Sequence, residues 1–308
     1  MTKIKDFFSK LADKISGMFK DKETYYKVKN FLGKFFVYFT LVLYAAIILL
    51  PFTIVIITSF KTWQETVSLE FKFWPEQWTV EGYKEVFTYS GGLDTFPVMI
   101  RGFLNTLCYV LPPTICGLFV SAIAAFAFAK LRFKGSKTLF GLLLLTMLIP
   151  GTIMLTPSYV IYDLIGWTDS PWPLIIPGMF GAAACVFFMK QFYTGIPTEL
   201  VESAKLDGLG FFGIFFRIIV PLSIPALFAQ GILGFIGGYN DYFGPLIYLQ
   251  SPEYYTLQIA LRSFSGTYAS RTPTVMAGAL MAMIPTIVIY LVAQKYFIEG
   301  IVTSGMKL

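Results

Sequence analysis

The chain has 308 residues, 56% of them hydrophobic and 14% charged, with a net charge of +6 and no histidine. A soluble domain carries about a quarter charged residues, so this composition excludes an ordinary water-soluble protein and indicates one solvated by lipid. Without histidine the commonest general base and metal ligand is missing. Cys108, Cys116 and Cys185 lie in apolar segments without paired spacing, and are expected as buried structural thiols.

Residues 1–34 form a basic arm. Within it Ile4, Phe7, Phe8, Leu11, Ile15, Met18 and Phe19 recur at helical spacing among lysines, which predicts an amphipathic helix lying on anionic lipid; a disordered basic arm is the alternative. Residues 35–308 read as a single transmembrane domain. A spanning helix needs about 20 mostly apolar residues, and six stretches qualify: 35–60, 102–129, 139–161, 173–189, 218–249 and 274–293. The first is longer than a signal-peptide core and no cleavage pattern follows it, so it is expected to stay in the membrane. Between the first two spans, residues 61–101 are expected as a loop with one short surface helix.

Basic residues set the orientation. With these spans, eighteen of the 24 lysines and arginines fall on one side and six on the other. Basic loops stay in the cytoplasm, so both termini are expected inside. Trp63, Trp74, Trp78, Trp167 and Trp172 then all fall outside, as interfacial anchors or contacts for an outer partner. The inner turn Gly135-Ser136-Lys137-Thr138 lacks the upstream glycine of a phosphate-binding loop, so it is not expected to bind nucleotide. No catalytic, metal-binding or nucleic-acid-binding constellation stands out.

A cytoplasmic loop, residues 196–221, carries a helix–turn–helix pattern. Thr198 is expected as the N-cap, with Glu199 and Glu202 near the positive end of the helix. Ser203 and Ala204 are small enough for another surface to approach closely. Asp207-Gly208 ends the helix, because glycine accepts the left-handed conformation of the C′ position. A second apolar helix is expected from Leu209 to Pro221. The whole reads as a docking element for a soluble partner.

The fifth span is rich in helix breakers, Pro221, Pro225, Gly231, Gly234, Gly237, Gly238, Gly244 and Pro245, around Asn240 and Asp241. Irregular backbone at membrane depth is tolerated where it is buried in protein or lines a wet cavity. Tyr239, Asn240, Asp241 and Tyr242 are therefore candidate residues of a solute pathway. The alternatives are that Asp241 caps a broken helix at the water boundary and that the tyrosines belong to an interfacial belt. Gly234 and Gly238 form a small-xxx-small pair, a helix-packing pattern.

Glu202-Ser203-Ala204, Gly208 and Ile218-Ile219-Val220-Pro221 resemble the E-A-A loop of binding-protein-dependent ABC importer permeases, with Ser203 for the usual second alanine and Val220 for leucine. The segment from Ile196 to Leu200, Asp207-Gly208, Tyr239-Asn240-Asp241-Tyr242 and the tail from Gln294 to Lys307 resemble the carbohydrate-importer branch. The resemblance implies an all-α polytopic permease of the type I ABC importer kind, with six transmembrane helices. Glu199, Glu202, Ser203, Ala204, Asp207, Gly208, Ile218 and Pro221 would couple it to an ATPase. It further implies a heterodimer with a second permease, two ATPase subunits that bind ATP and Mg, an extracytoplasmic sugar-binding protein, and a bacterial cytoplasmic membrane. On this reading the chain itself is non-catalytic and holds no cofactor. An ion-gradient-driven transporter is the rival, but such coupling needs buried carboxylates and Asp241 is the one plausible member. A membrane-embedded enzyme would need a convergent catalytic set that the spans do not offer.

Overall fold

The computed structural model of the protein describes residues 22–70, 72–91, 96–267 and 271–305, and every regular element among them is helical. The expected amphipathic helix over residues 4–19 lies outside the described residues. In chain order the helices are α1 (Lys22–Ser59), α2 (Trp63–Val67), α3 (Glu81–Thr88), α4 (Val98–Lys130), α5 (Ser136–Thr146), α6 (Gly151–Leu164) and α7 (Trp172–Met179). They continue with α8 (Ala183–Thr194), α9 (Thr198–Leu206), α10 (Phe211–Ile214), a π-turn (Phe215–Ile219), α11 (Val220–Tyr239), α12 (Phe243–Tyr248), α13 (Leu257–Thr267) and α14 (Thr272–Gly305).

The chain divides into two units, residues 1–57 and 58–308. In the first, α1 begins at Lys22 and runs unbroken into the first span, so residues 22–34 belong to that helix. Its apolar side chains point outward all round: Phe36, Val42, Tyr44, Ile47 and Leu49 are each more than half exposed. A helix apolar on every face is stable in lipid, not in water.

The second unit is organised around α4, which packs against α7, α8, α11 and α13. Close approach is possible because small residues meet at the crossings. A Cβ on Gly117 would stand 2.4 Å from the Gly178 carbonyl oxygen, so a side chain there would force α4 and α7 apart. Where the fourth span breaks between α7 and α8, the Ser121 hydroxyl of α4 accepts the Ala182 N–H at 3.0 Å. That bond satisfies a backbone donor that lipid could not. Gly234 and Gly238 face Thr114 and Val110 of α4, the packing role their spacing predicts.

Among the described residues five helical stretches are long and apolar enough to cross a membrane: Asn30–Ser59, Val98–Lys130, Trp172–Thr194, Phe211–Tyr239 and Thr272–Gln294. The third expected span, 139–161, is not one helix. It is the pair α5 and α6, bent by 93°. Proline lacks an N–H and disfavours helical geometry in the residue before it, so Ile149-Pro150 stops α5 and restarts the chain as α6. Counted as one broken span, the pair makes six. The fifth span departs from expectation in the other direction. Despite its glycines and prolines it stays helical to Tyr239, and the break falls at residues 240–242.

Two further elements were not anticipated. The 61–101 segment holds two helices, α2 and α3, and α3 is built into the fold. Val86 is fully buried, Tyr83 shares a 2.8 Å hydrogen bond with Ser59, and Glu85 receives hydrogen bonds from Arg271 and Thr274 at the start of α14. The segment after residue 249 contains α13, which buries Leu257, Ala260 and Phe264 against its neighbours. The expected burial of all three cysteines is not observed: Cys108 is exposed, and Cys116 and Cys185 are half-buried.

Candidate functional site

The loop at residues 196–221 forms a structured knob at one end of the α4–α8–α11 core. Helix α9 has nine residues, too short to be stable alone in water. Three features hold it. Val201 and Ala204, at i and i+3, are buried in a core shared with Ala125, Phe126, Met189, Tyr193 and Phe215. Full burial of a valine is worth about 1.5–3 kcal/mol where it leaves water. The C-terminus is closed by paired bonds, from Gly208 N–H to the Lys205 carbonyl and from Leu209 N–H to the Ala204 carbonyl, both 3.0 Å. Gly208 supplies the left-handed turn with φ of 83°, as its position predicts. At the other end the Lys130 ammonium, on the last residue of α4, donates to the Ile196 carbonyl and fixes where the loop departs.

Two expectations about α9 need correction. Thr198 is its first helical residue, not its cap; Pro197 occupies the N-cap position and makes no side-chain bond there. Proline at that place presets an extended entry, so the hydroxyl cap is dispensable. Ala204 faces the chain's own core, so the close approach that its size allows is intramolecular. The exposed side chains are Thr198, Glu199, Leu200, Glu202, Ser203, Lys205, Leu206 and Asp207. Leu206 is 89% exposed at the tip, a residue that sequence reasoning overlooked. Its signal was an apolar side chain set between Lys205 and Asp207-Gly208.

Beyond Gly208 the chain does not stop at Pro221. Helix α10 passes through the π-turn directly into α11, so one helical rod runs from residue 211 to Tyr239. The π-turn follows from Pro221. A proline ring clashes with the carbonyl four residues earlier, here that of Arg217, and offers that carbonyl no N–H. Widening the preceding turn relieves both problems: Val220 N–H reaches back five residues to the Phe215 carbonyl. Ile218 packs against the same core as α9, while Pro221 is exposed.

At the far end of α11 the break at residues 240–242 separates the pathway candidates. Tyr239 is buried, stacked near Phe235, and its hydroxyl donates to the Ala282 carbonyl of α14 at 2.9 Å. Its own carbonyl accepts from the Gln258 side chain. Tyr239 therefore fastens the end of α11 to its neighbours. Asn240 and Asp241 are exposed and Tyr242 half-buried. The Asn240 side chain bonds back to the Ile236 carbonyl, and Asp241 accepts the Gly244 N–H at 3.3 Å, capping α12. One structural residue nearby had no sequence signal. Asp169, with φ of 52°, accepts the Gln250 and Ser251 N–H groups and the Ser251 hydroxyl, tying the turn before α7 to the chain after α12.

The chain is similar to known proteins in sequence and in fold. Residues 117–302 match the family model described as binding-protein-dependent transport system inner membrane component. The arabinooligosaccharides transport system permease protein AraQ of Bacillus subtilis is 34% identical over 78% of this chain and 83% of its own length. The inner membrane ABC transporter permease protein YcjP of Escherichia coli is 30% identical over 91% and 98%, and the galactooligosaccharides transport system permease protein GanQ of Bacillus subtilis is 31% identical over the same shares. Among solved structures, a bacterial ABC transporter involved in the import of the acidic polysaccharide alginate superposes with a TM-score of 0.75 at 22% identity, covering 87% of this chain and 98% of that one. A multi-pass helical chain with its loop folded onto the span core, matched across these lengths, belongs to the family of binding-protein-dependent transport system inner membrane components.

Proposed function

We propose that this chain is one permease subunit of an ATP-driven importer that brings an oligosaccharide across a bacterial cytoplasmic membrane. The observation that carries the coupling half of this reading is the geometry of α9. Its inner face is locked into the core, its outer face presents two glutamates and an exposed leucine, and it leads through a tight glycine turn into a rod reaching Tyr239. A partner pushing on Leu206 would move a rigid lever whose far end carries Asn240 and Asp241. ATP binding to that partner supplies the differential energy that shifts the permease between its two states.

The sugar assignment is supported by the relatives named above, two of which carry oligosaccharide transport in their names. We place both termini and α9 in the cytoplasm because eighteen of 24 basic residues fall on that side. The assembly we propose has a second permease, two copies of an ATPase that holds ATP and Mg, and an outer sugar-binding protein. We infer that Asn240, Asp241 and Tyr242 line the solute pathway, whereas Tyr239, buried and bonded to the Ala282 carbonyl, packs the end of α11. The gradient-driven alternative finds no support, since the chain's family is that of binding-protein-dependent systems.

Two substitutions on the outer face test the coupling. Glu202→Lys and Leu206→Asp alter exposed groups, so both variants are expected in the membrane at normal abundance, with at least a tenfold loss of ATPase co-purifying with the tagged chain, since charge reversal or a buried carboxylate at a central interface position costs about 1.4 kcal/mol or more. Normal retention of the ATPase in both variants contradicts the docking role of α9.

A further inference from the structure

A second feature lies at the same end of the helical core as α9. The turn that joins α4 to α5 opens on a cleft of about 790 Å³. Arg132 and Lys134 come from the turn itself, Lys137 from the first turn of α5, and Lys190 reaches in from α8. No carboxylate lines the cleft, and none of the four cations forms an ion pair with the described residues. The cleft also has an aromatic floor. Phe128 and Phe140 lie with ring centroids 5.4 Å apart, and the Lys190 ammonium sits 4.1 Å over the Phe140 ring.

Four uncompensated cations around one opening repel one another, and an anion relieves that repulsion. The surroundings select the kind of anion. The cleft sits where α4 ends and α5 begins, at the limits of two apolar segments, and Leu139 and Leu142 next to it are more than half exposed. A soluble phosphate would use the cations and gain nothing from the phenylalanines. A phospholipid would use both, with its phosphate on the basic groups and its glycerol and upper acyl carbons along the rings. We propose that this cleft is a binding site for the headgroup of an anionic phospholipid of the cytoplasmic leaflet. The side of the membrane rests on the orientation proposed above; the site itself does not.

The purified full chain, with the partners that accompany it, is titrated in detergent with dioleoylphosphatidylglycerol and with dioleoylphosphatidylcholine, and bound lipid is read by native mass spectrometry. Each basic group near a lipid phosphate contributes severalfold in affinity, so the wild type is expected to bind phosphatidylglycerol about tenfold tighter than phosphatidylcholine, and Arg132→Gln/Lys134→Gln/Lys137→Gln is expected to bring the two within about twofold. The matched variant Lys27→Gln/Lys29→Gln/Lys34→Gln removes three charges from α1 and is expected to keep the preference. Glycerol 3-phosphate, the headgroup chemistry without acyl chains, is expected to leave the bound lipid in place. Three results overturn the proposal: no preference in the wild type, an equal loss in both triple variants, or displacement of the lipid by glycerol 3-phosphate at similar affinity. Because the measurement needs neither sugar nor ATP, its failure leaves the transport reading untouched, and failure of the transport reading leaves this measurement valid.

Discussion

Asp169 shows how one carboxylate orders the region between two helical segments. Its backbone holds a positive φ, which aspartate tolerates better than most residues. The side-chain bond from Ser251 holds its carboxyl below the usual carboxylate range; desolvation opposes the shift, and the N–H groups of Ser251 and Gln250 reinforce it. A carboxyl with a depressed folded value stabilises the fold above the unfolded value of about 3.9 and loses that contribution as pH falls through the lower folded one. Asp169→Ala is therefore expected to cost about 1 kcal/mol at neutral pH, discounted for solvent access. Thermal unfolding of the purified chain should show that gap constant from about pH 5 to 8 and closing below about pH 4. A gap unchanged at about pH 3 contradicts the assignment. Nothing adjacent in sequence announces Asp169, because its partners are more than eighty positions away. Gly208 was legible for the opposite reason: its role depends on the helix immediately before it. Ala204 and Tyr239 were legible as important but not in direction, since a helix face is assigned by what packs on it.

At the scale of elements, the chain between Gly208 and Tyr239 departs most from a simple reading. Pro221 looks like a stop, and in the structure it is a position inside a continuous rod, accommodated by one π-turn. That accommodation depends on the widened turn and on packing against neighbouring helices, which local pattern cannot reveal. The π-turn inserts one extra residue, so its loss would rotate α10 relative to α11 by about 100°. Pro221→Ala restores the missing N–H and removes the clash. The variant is expected to be at least as stable to heat as the wild type, while sugar taken up per ATP hydrolysed falls severalfold. Unchanged coupling would show that the lever does not depend on this register. Pro150 is the contrasting case, where the break between α5 and α6 is real and the pattern at Ile149-Pro150 signals it. Helix α13 was also within reach. Leu257, Ala260, Leu261 and Phe264 lie at i, i+3, i+4 and i+7, an amphipathic signal for a short helix outside the spans.

For the whole molecule, hydropathy located the membrane segments well because lipid imposes a length and a composition on each of them. It could not distinguish a straight span from a bent pair, since both bury similar apolar length. That residues 196–221 hold a helix closed at Asp207-Gly208 was readable because such a stop signal is conspicuous between apolar spans; the docking role is the one proposed above. What its inner face touches, and that Leu206 is its exposed tip, required the packed structure. The central claim is that this chain carries an oligosaccharide inward using ATP hydrolysed by a partner docked on α9. The most direct measurement is uptake of radiolabelled oligosaccharide into proteoliposomes holding the co-purified complex and the outer binding protein, with ATP enclosed and ion gradients collapsed by ionophores. Uptake that needs enclosed ATP, survives the ionophores and is lost in Leu206→Asp is the predicted result. Uptake that continues without ATP, or that the ionophores abolish, would contradict it.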